Sequence, residues 1–392
     1  MRTASSHPES KPVTYFDHNA STPVRPEVID CMRDCLEHVH GNPSSMHRDG
    51  QRARAAIERA REQVAALVGA EPRGVVFTSG GTEGDHLALI GGARAMVARG
   101  RKVAVSAIEH HAVHGAAEVL AQDGFEVSHL NVDHAGRVNP RDIDCLPAGT
   151  TLVSLMLANN ETGVIQPVAE AAARAHALGM RLHCDAVQAA GKVALDVRSL
   201  GADYLVLSAH KLGGPKGVGA LVLSGDAPLE PLQRGSSHEH GHRGGTENVA
   251  GIVGFGVAAV AAAAELASEQ QRMGVLRAQL ERGLLDALPD AVIHAAAAER
   301  LPNTVSVSVP GARSDMMLMA LDARGFEISA GAACASGAVE PSPVMLAMGV
   351  PRDLAICALR LSMGRTTSAA DVDALLAAFL LSARAVRAMQ AA

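Results

Sequence analysis

Seven short apolar and β-branched runs punctuate the chain between about Tyr15 and Leu223, with stretches of helical spacing between several of them. The runs are Val75–Phe77, Lys102–Val105, Phe125–Leu130, Thr151–Leu157, Arg181–His183, Tyr204–Leu207 and Gly219–Leu223. In Arg52–Val68 the residues Ala53, Ala56, Ile57, Ala60, Val64 and Leu67 recur at steps of three and four, the stripe of an amphipathic helix. Strands that alternate with helices imply a mostly parallel sheet covered on both faces. Only a glycine-rich turn separates Leu205 from Val222, so the last two runs are expected as one antiparallel hairpin, which makes the sheet mixed. After the glycine-rich stretch Gly235–Gly251 the pattern changes to a long alanine-rich helix, about Val253–Leu288. Strand Asn303–Val309 and helices Asp315–Ala323 and Ala370–Ala388 follow. The expectation is an α/β chain with a large domain over 15–255 and a smaller α+β domain over 256–392. A polar segment, 1–14, precedes them and either packs with the small domain or is disordered.

Composition narrows the partners. Aromatic residues make up 2% of the chain and Trp is absent, which leaves no stacking platform for single-stranded nucleic acid. A formal net charge of −6 disfavours a polyanion. The run Val257–Leu266 is interrupted by Glu265 and reads as too short to span a bilayer. The first dozen residues lack the apolar core of a signal peptide, and six cysteines in 392 residues do not make a disulfide framework. A cytoplasmic protein with reduced thiols, no nucleic acid partner and no membrane is expected.

The chemistry gathers where strands end. Leu205-Val206-Leu207-Ser208-Ala209-His210-Lys211 is an apolar run that stops on a hydroxyl, an imidazole and an amine. In an open α/β sheet that end faces the ligand crevice. Partial desolvation there lowers a lysine's pKa and makes Lys211 a candidate for a Schiff base, although alone it also reads as a solvated turn residue. Thr78-Ser79-Gly80-Gly81-Thr82-Glu83 is a glycine-rich turn ahead of a helix expected near Asp85. Its free N–H groups suit a phosphate, and a plain N-cap turn fits as well. Asp185, after Arg181-Leu182-His183-Cys184, suits a protonated pyridine nitrogen or a helix N-cap. His110 could stack on a ring or start a helix, and Asn159-Asn160 form a polar site wall or an ordinary turn. Jointly they point to pyridoxal 5'-phosphate.

Several motifs occur together and in one order: Tyr15–Pro23, Gly41-Asn42-Pro43-Ser44-Ser45, Phe77–Glu83, Asn159–Gly163, Asp185-Ala186-Val187-Gln188 and Ser208–Lys211. In these the chain resembles the cysteine desulfurases of the NifS/IscS type, in the class-V aminotransferase family, from about residue 15 to 385. The resemblance implies the fold-type-I architecture of pyridoxal-phosphate transferases. It implies that Lys211 carries the cofactor, Asp185 meets the pyridine nitrogen, Gln188 the ring oxygen, and His110 stacks on the ring. Gly81, Thr82, Ser208 and His210 are placed by it around the phosphate. Thr246 would reach the partner subunit's phosphate in a homodimer. Arg360, assisted by Asn160, would clamp the carboxylate of L-cysteine, a role that suits a guanidinium fork.

Pyridoxal phosphate alone leaves the reaction open, and Cys334 narrows it. Small residues surround it in Ser329-Ala330-Gly331-Ala332-Ala333-Cys334-Ala335-Ser336-Gly337, a setting in which a thiol can move. By resemblance the reaction is removal of sulfur from L-cysteine. It gives L-alanine and a persulfide on Cys334, which passes to an acceptor such as an iron–sulfur scaffold. A selenocysteine lyase or other C–S lyase would share every cofactor residue, and a non-catalytic sulfur carrier is the reading from another class. Cys31 and Cys35 read as helix packing, and Cys145, Cys184 and Cys357 as inert. His238, His240 and His242 read as a loop at a dimer interface, with no metal site assigned. Departures from the family pattern fall at Gly84, His86, Ser236, Ser237, His240, Ala332 and Ala335.

Overall fold

The computed structural model describes residues 13–331 and 340–391; Met1–Pro12 and Cys334 lie outside them. Seven strands build the main sheet: β1 (Val75–Thr78), β2 (Lys102–Ser106), β3 (Glu126–Leu130), β4 (Thr150–Ser154), β5 (Arg181–Asp185), β6 (Tyr204–Ser208) and β7 (Gly219–Leu223). Their spatial order is β1-β7-β6-β5-β4-β2-β3, and β7 alone runs against its neighbours. Leu205 stands opposite Val222, the register expected of the hairpin. The pleat sends alternate residues to opposite faces. Leu205 and Leu207 pack into one core with the helices Pro26–His38, Arg48–Leu67 and the start of Val249–Ala287, while Tyr204 and Val206 pack into another. Burial on both faces explains why these strands read as continuous apolar runs.

A second, four-stranded antiparallel sheet runs Ser329–Ala330, Ala358–Ser362, Thr304–Ser308, Val292–Ile293. It packs against helices Ser314–Asp322 and Ala369–Ala391 around Phe16, Val305, Leu361 and Phe379. Thr14–Tyr15 pair in parallel with Phe326–Glu327, and Asp17 bridges to Ser362, so the start of the described chain lies on this unit.

One helix, Val249–Ala287, serves both cores: Phe255, Ala258 and Ala262 enter the first, Met273, Leu280 and Leu284 the second. By length and composition it is able to cross a membrane, unlike the short interrupted run expected from the sequence. Its two series of buried residues pack against protein instead.

The histidine-bearing loop is pinned to the edge of the main sheet by a buried ion pair. Arg61 Nη1 donates to Glu239 Oε2 (2.7 Å), and Phe77 N–H donates to the same oxygen (2.7 Å). Glu239 (φ 46°) and His240 (φ 57°) hold left-handed backbone without being glycine, a strained geometry that persists only where the surroundings fix it. Among the described residues no cluster of three metal-ligating side chains forms. Removing one partner leaves the other charge buried and unpaired, so Arg61→Met is expected to cost about 3 kcal/mol or more. Urea unfolding should show a lowered midpoint, and adding Glu239→Leu should recover most of the loss; an unchanged Arg61→Met midpoint would refute the anchoring role.

Candidate active site

The site occupies the carboxyl edge of the main sheet, where the parallel strands release their chains into turns. A cavity of about 350 Å³ is lined there by Gly81, Thr82, His110, Asn160, Asp185, Gln188, Ser208, His210, Lys211 and Arg360. Ten of the twelve sequence-derived site residues therefore converge. Thr246 does not join them. It lines a neighbouring hollow with Thr78, Ser79 and Arg243. Cys334 lies outside the described residues, but both flanks of its segment meet one side chain. Ser342 Oγ donates to Glu161 Oε2 (2.5 Å), and any Cβ at Gly331 would collide with that oxygen. Glu161 neighbours Asn160, so Gly331 and Ser342 both lie close to a residue next in sequence to one that lines the cavity.

Lys211 follows β6 in a short helical turn and donates from Nζ to the carbonyls of Ala20 (2.8 Å) and Asn19. Burial lowers its pKa from 10.5 to about 8, helped by Arg360 and opposed by Asp185 and Asp17. Asp185 ends β5. Its Oδ1 accepts from Val187 N–H (2.8 Å), an Asx-type turn rather than a long helix cap. Burial raises its pKa to about 6, against the pull of that N–H and of Lys211.

The helix after β1 starts at Gly81, four residues earlier than the sequence suggested, because the turn's glycines enter the first turn themselves. It continues through a wide, π-type turn at Leu87–Gly91 to Ala95. The early start aims the unpaired N–H groups around Gly81 and Thr82 at the cavity.

His110 caps helix His111–Gln122, its Nδ1 accepting from Ala112 N–H (3.2 Å). Although open to the cavity, it is held neutral: burial first, then Lys211 and His111, lower its pKa to about 4. His210 is lowered to about 4 by burial and by Lys211, Lys216 and Lys192, and its Nδ1 lies 3.3 Å from Ser21 Oγ. Arg360 arrives from the small sheet. Its Nη2 donates to Asp17 (2.7 Å) and Nη1 to the Asn160 carbonyl (3.1 Å), while the buried Nε has no partner among the described residues.

Sequence reasoning missed a polar layer around these residues. Asp85 is 1% exposed and also lines the cavity. Its Oδ1 sits 3.3 Å from His183 Nε2, and His183 Nδ1 lies 2.8 Å from Ser154 Oγ. Burial, then the charges of Asp185 and Glu109, push Asp85 well above the usual carboxylate range. Glu109 is raised to about 8 by burial and Asp185. Asn19 and Lys192 complete the layer; the motif Tyr15–Pro23 was the available signal for Asn19, but its polar residues carried no pattern that assigned contacts.

The class-V aminotransferase family model matches residues 14–375. The chain is 41% identical to the cysteine desulfurase IscS of Dictyoglomus turgidum, over 92% of this chain and 91% of that one. Among solved structures, a NifS-like protein superposes with a TM-score of 0.88 at 36% identity, covering 94% of this chain and 98% of that one. SspA in complex with cysteine gives a TM-score of 0.78 at 31% identity, covering 89% and 98%.

At pH 7 an amine of pKa about 8 is neutral in about a tenth of molecules, against roughly one in three thousand for an ordinary lysine. Trapping with a small aldehyde and cyanoborohydride should therefore label the Lys211 peptide with a pH midpoint near 8, rising with pH and levelling above it. A midpoint at the ordinary lysine value would show that the burial does not act.

Proposed function

We propose that this chain, which belongs to the class-V aminotransferase family and to its cysteine desulfurases, uses the Lys211 cavity to take sulfur from L-cysteine. The observation that carries the reading is the convergence in one cavity of a lowered-pKa lysine, a buried aspartate and a small-domain arginine.

The cavity fits pyridoxal 5'-phosphate. Asp185 is a buried carboxyl with one oxygen on Val187 N–H, and a ring N–H would supply the cationic partner that burial demands. Around Gly81 and Thr82, unpaired helix N–H groups, with Ser208 and His210 beside them, suit the phosphate. Lys211 would be the attachment point, Gln188 would face the ring oxygen, and His110, neutral, would be available as a flat partner for the ring. When bound, the cofactor supplies an electron sink for bond breaking at the substrate's α-carbon.

The chain's own residues then have distinct tasks. Arg360 holds the substrate carboxylate, with Asn160 beside it. Lys211 Nζ, neutral in a useful fraction near pH 8, removes the α-proton and returns it. Cys334 attacks the substrate sulfur: the sulfur–sulfur bond forms as the carbon–sulfur bond breaks, the electron pair stays with carbon, and protonation there completes L-alanine. The enzyme keeps the sulfur as a persulfide for a thiol acceptor, and an iron–sulfur scaffold is the acceptor we propose.

The proposal extends to a homodimer, supported by Thr246. It lies outside the cavity yet beside Thr78 and Ser79, the turn that leads to Gly81. A cytoplasmic setting is proposed from the unpaired state of the five described cysteines.

Purified protein reconstituted with pyridoxal phosphate and given cysteine should release alanine and carry a persulfide on Cys334, read by mass spectrometry. Cys334→Ala should keep the cofactor's absorption and lose at least about a hundredfold of sulfide release. Undiminished cysteine-dependent sulfide from that variant would reject Cys334 as the acceptor.

A further inference from the structure

Lys192 stands four residues beyond Gln188 and points back at it. Its Nζ donates to Gln188 Oε1 (2.9 Å) and to Asn19 Oδ1 (3.2 Å). Among the described residues it has no carboxylate within ion-pair reach, although Glu269 shares a small second cavity with it, alongside His18, Lys211 and Arg365. A buried lysine that serves two amides and no acid is costly unless it does something specific.

An ammonium or amine hydrogen has one consequence for an amide beside it. Lysine offers donors, so the atom that faces it must be an acceptor. Lys192 therefore draws the carbonyl oxygen of Gln188 toward itself and turns the NH₂ away. One of those N–H bonds goes to the Asn19 carbonyl (2.9 Å). The other has no acceptor among the described residues, and Gln188 lines the main cavity. Rotation would set the amide oxygen against the Asn19 carbonyl and the NH₂ against Lys192, so both neighbours enforce one orientation. Losing Lys192 removes half of that constraint, and a rotated amide would present an oxygen to the cavity and repel an anionic oxygen on a ligand.

We propose that Lys192 is a positioning residue that fixes the Gln188 amide with its N–H toward the ring oxygen of the bound cofactor. This rests on the pyridoxal phosphate reading above. Burial, then Lys211 and Arg360, hold Lys192 well below the ordinary lysine value. A neutral amine also has a lone pair, but Asn19 Oδ1 and Gln188 Oε1 take the two hydrogens it keeps, so Nζ still meets Gln188 as a donor.

The test reads the bound cofactor's absorption rather than turnover. A donor to the ring oxygen competes with the hydrogen bond between that oxygen and the nitrogen contributed by Lys211, and so lowers the pH at which that nitrogen loses its proton. Lys192→Met should raise the midpoint of the absorption titration by on the order of one pH unit. Lys192→Arg, which keeps the donor, should leave it near the wild-type value. In a Gln188→Ala background Lys192→Met should add little, because the group it orients is gone. Should Lys192→Met fail to fold by circular dichroism, Lys192→Gln carries the same test, since an amide there accepts or donates and no longer dictates one orientation.

A folded variant with an unmoved midpoint would overturn the proposal. So would an equal shift with and without Gln188, which would assign Lys192 a purely electrostatic effect. Wild-type protein that takes up no cofactor would instead overturn the functional reading, and this one with it.

Discussion

Asn19 is where the two cores are tied to the reactive amine. It is 1% exposed, and every polar atom it has is used. Its N–H donates to Ser362 Oγ (2.9 Å), and its Nδ2 to Thr304 Oγ1 (2.9 Å) and the Asn160 carbonyl (3.2 Å). Its Oδ1 accepts from Asn303 Nδ2 (3.1 Å) and Lys192, and its carbonyl from Gln188 and Lys211. Ser362, Asn303 and Thr304 belong to the small sheet and its approach; Gln188, Lys192 and Lys211 belong to the large one. One asparagine thus sets the distance between the sheet that carries Arg360 and the sheet that carries Lys211. A buried polar group that is fully satisfied specifies one arrangement, because any other leaves donors unpaired.

The charges around this hub are arranged to keep the lysine reactive. Arg360 on one side and burial on all sides disfavour the ammonium, while Asp17 and Asp185 favour it. The balance leaves Lys211 near pH 8 instead of at either extreme. Beneath Asp185 the same burial acts on carboxyls: Asp85 and Glu109 are pushed toward their neutral acids, and His183 is held neutral, lowered to about 3. The same desolvation weakens the negative charge that Asp85 and Glu109 would add beside Asp185. Glu109 Oε1 accepts from Ser106 Oγ (2.9 Å) and Met156 N–H (2.8 Å), which fixes this part of the layer.

Much of this was legible in the sequence because strand exits are local. A run such as Leu205–Leu207 that ends on Ser208, His210 and Lys211 carries its own placement in an α/β sheet, and so does Asp185 after Arg181–Cys184. The antiparallel pairing of Tyr204–Ser208 with Gly219–Leu223 was legible from the glycine-rich connection between them. The polar layer was not legible, because its members come from distant turns and no spacing links Asn19, Asp85, Glu109 and Lys192. The helix start at Gly81 was misplaced because glycine is a weak helix former, and here the free N–H groups outweigh propensity. Thr246 stands apart from the cavity, in the hollow it lines with Thr78, Ser79 and Arg243, and no local signal in the sequence marked that separation.

Arg360 shows how the hub and the chemistry meet. Its Nη2 is committed to Asp17 and its Nη1 to the Asn160 carbonyl, while Nε is buried without a partner among the described residues. A guanidinium holds a carboxylate best through two parallel N–H bonds. Nε is closed to solvent, so a ligand carboxylate would meet the guanidinium at its Nη groups and compete there with Asp17. Asp17 would then keep the guanidinium compensated and oriented before substrate arrives, and the exchange would need no rearrangement of the buried strand Ala358–Ser362. Asp17 also bridges to Ser362 along the backbone, and Ser362 holds Asn19. Asp17, which pairs with Arg360, and Asn19 and Ala20, whose carbonyls hold Lys211 Nζ, therefore lie on one segment. A carboxylate bound at Arg360 would add an anion to the cavity that Lys211 also lines, and added negative charge favours the ammonium form of its amine.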